Sequence, residues 1–259
     1  MFIFIIFLIL GLAHECGVSP EASGSKPPPA AAAAAPPPSV RAAPQAGAKP
    51  RGAGTRAKSG EERRMEAAGL VNVKSYAPDI VVQLAYASAN NILHTQLYSD
   101  FNEAYLQKDA ARKLASAQRI VKSISPQLSL MVHDAVRPQR IQQRCWELAR
   151  VRGLQHLFMP PKTISMHTYG VAVDVSLINL ATGAELDMGS WPDNPGALAA
   201  PRRERELLRA GRLSRQQYTN RLLLRSAMQE AGFTPISNEW WHFEACSRKT
   251  AQRKYRPII

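Results

Sequence analysis

Between residues 171 and 177 the chain alternates. Val171, Val173, Val175 and Leu177 are large and apolar, while Ala172, Asp174 and Ser176 between them are small or polar. A period of two predicts a strand whose large face packs on helices and whose small face opens onto a cleft containing Asp174. Ile80, Val82, Leu84 and Tyr86 repeat the pattern, as do Leu128, Leu130 and Val132, and each set predicts a further strand. Elsewhere the period is helical. Ala110, Leu114, Ala117, Val121 and Ile124 share one face of a helix that Asp109 can cap and Pro126 ends. A second helix is predicted over 139–152, stopped by Gly153. A third opens on Ser214 and Gln217 as a capping box, carries Leu224, Ala227, Met228 and Ala231 along one stripe, and ends at Gly232. Short strands interspersed with helices predict an α+β fold, with a small central antiparallel sheet flanked by helices. Residues 65–259 are ample for one such core.

Upstream of residue 65 the pattern disappears. Residues 17–64 hold nine of the nineteen prolines, in runs such as Pro27-Pro28-Pro29 and Pro36-Pro37-Pro38, and hardly any large apolar side chain. Such a stretch cannot bury enough surface to fold, so a disordered Pro/Ala-rich linker is expected there. Residues 2–13 form an apolar run too short to span a bilayer as an ordinary helix but of the length of a signal-peptide core. Cys16 hints at a lipoprotein site, although no Lys or Arg precedes the run and His14 and Glu15 stand where small residues are usual. The expected organisation is a signal or lipoprotein segment at 1–16, a linker at 17–64 and one folded domain at 65–259, in the periplasm or cell envelope. The alternative is a cytoplasmic protein that starts at Met65.

Charge narrows the partners. Lys and Arg number 33 against 20 acidic residues, a net +13, and the linker alone carries eight basic against three acidic residues. A basic tether and surface suit an anionic wall or membrane surface. Nucleic acid is not expected, because zinc-finger spacing, a recognition-helix signature and an aromatic platform are all missing. Cys145, on a predicted helix, reads as a small buried apolar residue, with pairing to Cys246 in an oxidising compartment as the alternative. His94, His133 and His156 read as surface or internally satisfied histidines.

The chemistry is concentrated in two runs, 165–174 and 238–244. A catalytic zinc takes three ligands of the His and carboxylate type and keeps a fourth position open. His167, Asp174 and His242 meet that demand, for one Zn2+ per chain, and Glu239 is left over as a proton carrier. Gly170 lies between His167 and the strand, where a backbone free to turn brings the imidazole back over Asp174. In the second run an extended chain would put Trp240 and His242 on one face and Trp241 and Phe243 on the other. Glu239 would then face away from His242, so a bend near Asn238 and Glu239 is required. A third element, His133-Asp134-Ala135-Val136-Arg137-Pro138, follows a predicted strand; Pro138 keeps Arg137 out of the helical region, at a strand exit where a guanidinium can stabilise an oxyanion.

These motifs resemble those of the D-alanyl-D-alanine dipeptidases of the vancomycin-resistance type, within a wider group of zinc peptidases. The resemblance runs over about 70–244. It rests on Ser-x-His-x-x-Gly-x-Ala-x-Asp at 165–174, Glu-Trp-Trp-His at 239–242, Asp-x-x-Arg-Pro at 134–138 and Met-Gly-Ser-x-x-Asp at 188–193. It implies His167, Asp174 and His242 as zinc ligands, Glu239 as general base and acid, and Arg137 as the arginine that meets the transition state. It further implies that Ser165 and Asp193 hold the ammonium of a small dipeptide substrate. The chain departs from the usual pattern at Ala135-Val136, where relatives carry Gly-Tyr, at 86–92, and after Asp193, where an Ala/Arg-rich stretch replaces a Ser-His. These differences bear on the rim of the site and on substrate range.

Three functions therefore stand at this point. The first is hydrolysis of D-alanyl-D-alanine in cell-wall peptide metabolism or glycopeptide resistance. The second is a D,D-carboxypeptidase or endopeptidase acting on longer peptidoglycan peptides, against which Trp240 argues, since carboxypeptidase-like relatives tend to have Pro there. The third is a non-catalytic peptidoglycan-binding module, which would have no use for the free carboxylate of Glu239.

Overall fold

The computed structural model describes residues 57–160, 162–193 and 196–259. The expected segment at 1–16 and the linker as far as residue 56 lie outside the described residues. In chain order the elements are α1 (Gly60–Ala67), β1 (Leu70–Asn72), β2 (Val81–Val82), β3 (Tyr105–Gln107), α2 (Lys108–Ile124), β4 (Leu128–Asp134), α3 (Gln139–Val151), β5 (Ala172–Asn179), β6 (Ala184–Glu185), α4 (Glu204–Arg209), α5 (Arg215–Glu230), β7 (Thr234–Pro235), β8 (His242–Glu244) and α6 (Arg248–Lys254). The main sheet has the order β2-β4-β5-β8-β7, with β6 paired to the far end of β5. It is antiparallel except at its edge, where β2 runs parallel to β4. β1 and β3 form a separate antiparallel pair.

The α+β architecture is thus as the patterning implies. Val173, Val175 and Leu177 of β5 and Leu130 and Val132 of β4 are fully buried, packed with Leu114, Ala117 and Val121 from α2 and Leu224, Ala227 and Met228 from α5. Helix α5 opens on the expected capping box, with Ser214 Oγ accepting from Gln217 N and Gln217 Oε1 accepting from Ser214 N. A second capping box, Ser59 with Glu62, starts α1, so that residues 60–64, expected in the linker, are helical. Glu61 in that helix is buried and paired with Arg64 and Arg140, which ties α1 to α3.

Three local expectations are corrected. The strand expected over 80–86 is only Val81–Val82, followed by a 3-10 turn at Ala85–Ala87. The Tyr86 carbonyl there accepts from Leu97 N and Tyr98 N, which draws the chain off the sheet. Asp109 does not cap α2: the helix begins one residue earlier, at Lys108, and the Asp109 carboxylate in its first turn pairs with Lys254 of α6 instead. Ile124, at the end of the stripe, is 55% exposed because α2 outruns the core. Of the three unassigned histidines, His94 and His156 are exposed and His133 is buried, its Nε2 2.7 Å from Ser176 Oγ. Cys145 and Cys246 are free thiols; Cys145 is buried in α3, and that burial pushes its pKa up to about 12.

Candidate active site

Strand register assembles the site. Asp134 ends β4 opposite Asp174 of β5, and Asp174 is in turn opposite His242, the first residue of β8. Three neighbouring strands therefore deliver two carboxylates and an imidazole in a row at one end of the sheet. The register of β4 shifts between Val132 and Asp134, a bulge of the kind that re-aims side chains beside functional sites.

His167 joins them from the turn that precedes β5. Gly170 makes that turn possible with φ +68, and a Cβ there would stand 2.7 Å from Leu70 Cδ2. The Nδ1–H of His167 donates to the Ala135 carbonyl at 2.7 Å, which fixes the tautomer and leaves Nε2 as the free donor atom. That Nε2 lies 3.1 Å from His242 Nδ1 and 3.4 Å from Asp174 Oδ1, and His242 Nδ1 is 3.0 Å from the same oxygen. Two ligands of a tetrahedral metal with bonds of about 2.0–2.1 Å stand roughly 3.3 Å apart. The triangle of buried donors has edges of that size, so the residues present fit a zinc-type ion, and the three can hold a metal.

The electrostatics point the same way. Burial alone would raise the Asp174 carboxyl, but His167 and His242 outweigh it and hold its pKa well below the ordinary value. Burial likewise disfavours a charged His242, yet hydrogen bonding to Asp174 and Glu244, with the charges of Asp174 and Glu239, pushes its pKa up to about 10. A charged Asp174 carboxylate and the positive charge it draws onto His242 thus stabilise each other.

Glu239 reaches the cluster because the chain bends as required, at 237–238 and again at 240–241. Its Oε2 lies 3.9 Å from His242 Nδ1. Burial raises its pKa, partly offset by His242. The bends also separate the two tryptophans from a plain alternation. Trp240 turns to α5, where the Arg221 guanidinium sits 5.4 Å over its ring and its Nε1 donates to Ser190 Oγ, whereas Trp241 both packs in the core and lines the cavity.

Arg137 is buried at the exit of β4. Asp134 Oδ2 accepts from its Nε and Nη2 at 2.8 and 2.5 Å, Gln142 accepts from Nη1, and the Tyr86 ring lies 4.9 Å from the guanidinium carbon. Its Nη2 is 3.9 Å from Asp174 Oδ2, beside the donor triangle. Tyr86 therefore supplies an aromatic partner to an arginine whose neighbour, Val136, is not aromatic. The Tyr86 hydroxyl donates to Asp193 Oδ2 at 3.0 Å, and Tyr98 donates to Asp134 Oδ1 at 2.8 Å. Asp193 occupies φ +65, a region an Asp tolerates better than most side chains, and its burial pushes its pKa up to about 7. Ser165 Oγ accepts from His167 N at 3.2 Å and also faces the cavity.

All seven residues singled out in the sequence, Arg137, Ser165, His167, Asp174, Asp193, Glu239 and His242, line one cavity of about 270 Å³. Tyr86, Tyr98, Asp134 and Glu244 were assigned no role there. Asp134 and Glu244 carried a usable signal, three residues before Arg137 and two after His242, spacings that bring side chains together at a strand exit and on one strand face. The tyrosines carried none.

Comparison with known proteins shows which family the chain belongs to. A family model described as D-ala-D-ala dipeptidase matches residues 66–257. The D-alanyl-D-alanine dipeptidase of Escherichia coli is 33% identical over 176 residues, which cover 68% of this chain and 83% of that protein. Proteins of the same name from Synechocystis and Enterococcus faecium are 26% identical over 53% of this chain (68% of that protein) and 38% identical over 30% (36% of that protein). With a family model matched over residues 66–257 and one relative aligned over most of its length, the chain belongs to the D-Ala-D-Ala dipeptidase family of peptidases.

Proposed function

We propose that the protein is a zinc-dependent dipeptidase that hydrolyses D-alanyl-D-alanine in cell-wall peptide metabolism, glycopeptide resistance being one setting for that reaction. The observation that carries the reading is the coincidence, in one small cavity, of a metal-sized donor triangle, a carboxylate beside it, Glu239, and a second acid, Asp193. The cavity, at about 270 Å³, falls just below the roughly 300–1,000 Å³ typical of ligand pockets, which suits a dipeptide better than a long wall peptide.

His167, Asp174 and His242 would hold the zinc, which when bound supplies Lewis acidity that makes water a nucleophile near neutral pH and polarises a carbonyl. Glu239 takes the proton of the attacking water and delivers it to the leaving amine, a task suited to a carboxylate whose pKa burial has raised. Arg137, held by Asp134 and Gln142, offers fixed positive charge to the oxyanion. Asp193 and Ser165 hold the ammonium of the substrate. A non-catalytic wall-binding module would need neither Glu239 nor its bend.

The reading is tested by offering zinc-reconstituted protein D-alanyl-D-alanine and its N-acetyl derivative side by side. Free dipeptide should be cleaved faster by about 5- to 150-fold, since a buried carboxylate left without its cation costs about 1–3 kcal/mol. Asp193→Ala should narrow the gap by damaging the dipeptide reaction. Equal cleavage of the blocked peptide by the parent would favour a carboxypeptidase.

The raised pKa of Asp193 adds a pH signature. Its carboxyl is protonated below about pH 7 and charged above it, so the ionised form that grips an ammonium is lost as pH falls through that value. KM for the dipeptide should therefore rise about tenfold per unit of pH below 7, and Asp193→Asn should flatten that rise. A KM that stays level from pH 8 to 5.5 would remove Asp193 from ammonium binding.

A further inference from the structure

We propose that Arg248 anchors the terminal carboxylate of the substrate, so that the pocket takes a zwitterionic dipeptide by both ends. The inference rests on the dipeptidase reading and extends it to the end of the substrate opposite the ammonium. Among the described residues that line the cavity there are two arginines, Arg137 and Arg248. Arg137 is already matched: Asp134 accepts from its Nε and Nη2, and Gln142 from its Nη1. Arg248 is not matched in this way. It is half-buried at the first residue of α6, and its hydrogen-bond partner is neutral, the Ile164 carbonyl, which accepts from Nη1 at 2.7 Å. That bond fixes one edge of the guanidinium against the segment leading to Ser165 and leaves Nη2 and Nε for a ligand. A planar fork of N–H donors is the side-chain group best shaped to take a carboxylate bidentately.

The layout of charge fits a molecule with two opposite ends. Asp193 is held by Tyr86, and the groups that act most on it, Tyr86, Arg137, Asp174 and Asp134, come from the β2–β4 side. Arg248 enters the cavity from α6, four residues beyond Glu244, whose Oε1 stands 3.7 Å from His242 Nε2. An extended dipeptide measures about 7 Å end to end, so a small cavity with an acid on one wall and an unmatched cation on another selects for short length as well as for charge. Arg248 also lies beyond the Glu-Trp-Trp-His run, six residues after His242.

The test compares D-alanyl-D-alanine with its C-terminal amide on zinc-loaded parent, Arg248→Gln and Arg248→Lys proteins. The parent should favour the acid over the amide by about tenfold or more in kcat/KM, as expected for loss of a charge-assisted hydrogen bond. Arg248→Gln should raise KM for the acid by a similar factor, leave the amide almost unchanged and bring the ratio near one. Arg248→Lys should recover part of the preference. A variant that merely disturbs the fold would slow both substrates together and keep the ratio, and that result overturns the proposal. So does a parent that cleaves acid and amide equally. A parent inert on the dipeptide overturns the dipeptidase reading itself, a different outcome from an active enzyme indifferent to the carboxylate.

Discussion

Glu239→Gln is expected to keep one zinc per chain while turnover of D-alanyl-D-alanine falls by about a hundredfold or more, the scale of general acid and base groups. The amide has the shape and much of the hydrogen bonding of the carboxylate but cannot accept a proton at neutral pH. Glu239 lies beside the donor triangle, not within it: its oxygen is 3.9 Å from His242 Nδ1, against 3.0 Å for the Asp174 oxygen. Metal content by elemental analysis, measured on the protein used for kinetics, separates the two roles. Loss of zinc would make Glu239 a ligand, and activity within a few-fold of the parent would take it out of the mechanism.

Removing an imidazole should have the larger effect on composition. His167→Ala and His242→Ala each leave two of three donors, and the purified variants should hold far less than one zinc per chain, with activity lost in step. The penalty should exceed the 10- to 100-fold in affinity typical of changes to groups that only orient a ligand. Asp174 sharpens the expectation. Its buried carboxyl is kept ionised chiefly by the two histidines, so deleting either lets desolvation reassert itself and makes the remaining oxygen a poorer ligand. Full zinc content in both variants would show that the ion binds elsewhere.

Much of this site can be read from the chain because its parts obey local rules. Alternation over 171–177 places Asp174 on the small face of β5, and Gly170 permits the turn that returns His167 to it. The bend at Glu239 follows from the requirement that neighbouring residues on a strand point apart. The helices were legible from their stripes and, for α5, from the Ser214 and Gln217 cap. What stays hidden is contact across long separations. Tyr86 reaches Asp193 across 107 positions and Tyr98 reaches Asp134 across 36, and nothing in the local pattern of either tyrosine marks its partner. Tyr86 reads as the last member of an alternating strand, yet its carbonyl is claimed by Leu97 and Tyr98 and the strand ends early. The ammonium-binding roles proposed for Ser165 and Asp193 rest on resemblance alone, since a serine and an acid 28 positions apart carry no periodic signal.

The row formed by Asp134, Asp174 and His242 makes ion binding a gauge of strand alignment. Because side chains on a strand alternate, sliding β8 by one residue along β5 would turn His242 to the opposite face and offer Phe243 or Trp241 to the cluster instead. A correctly aligned sheet and a competent donor set are therefore the same event. β8 is only three residues long and has few ladder bonds of its own to resist slippage, so an ion gripped by both β5 and β8 would act as a clasp between them, and the weakest-paired central strand is the one that gains most from it.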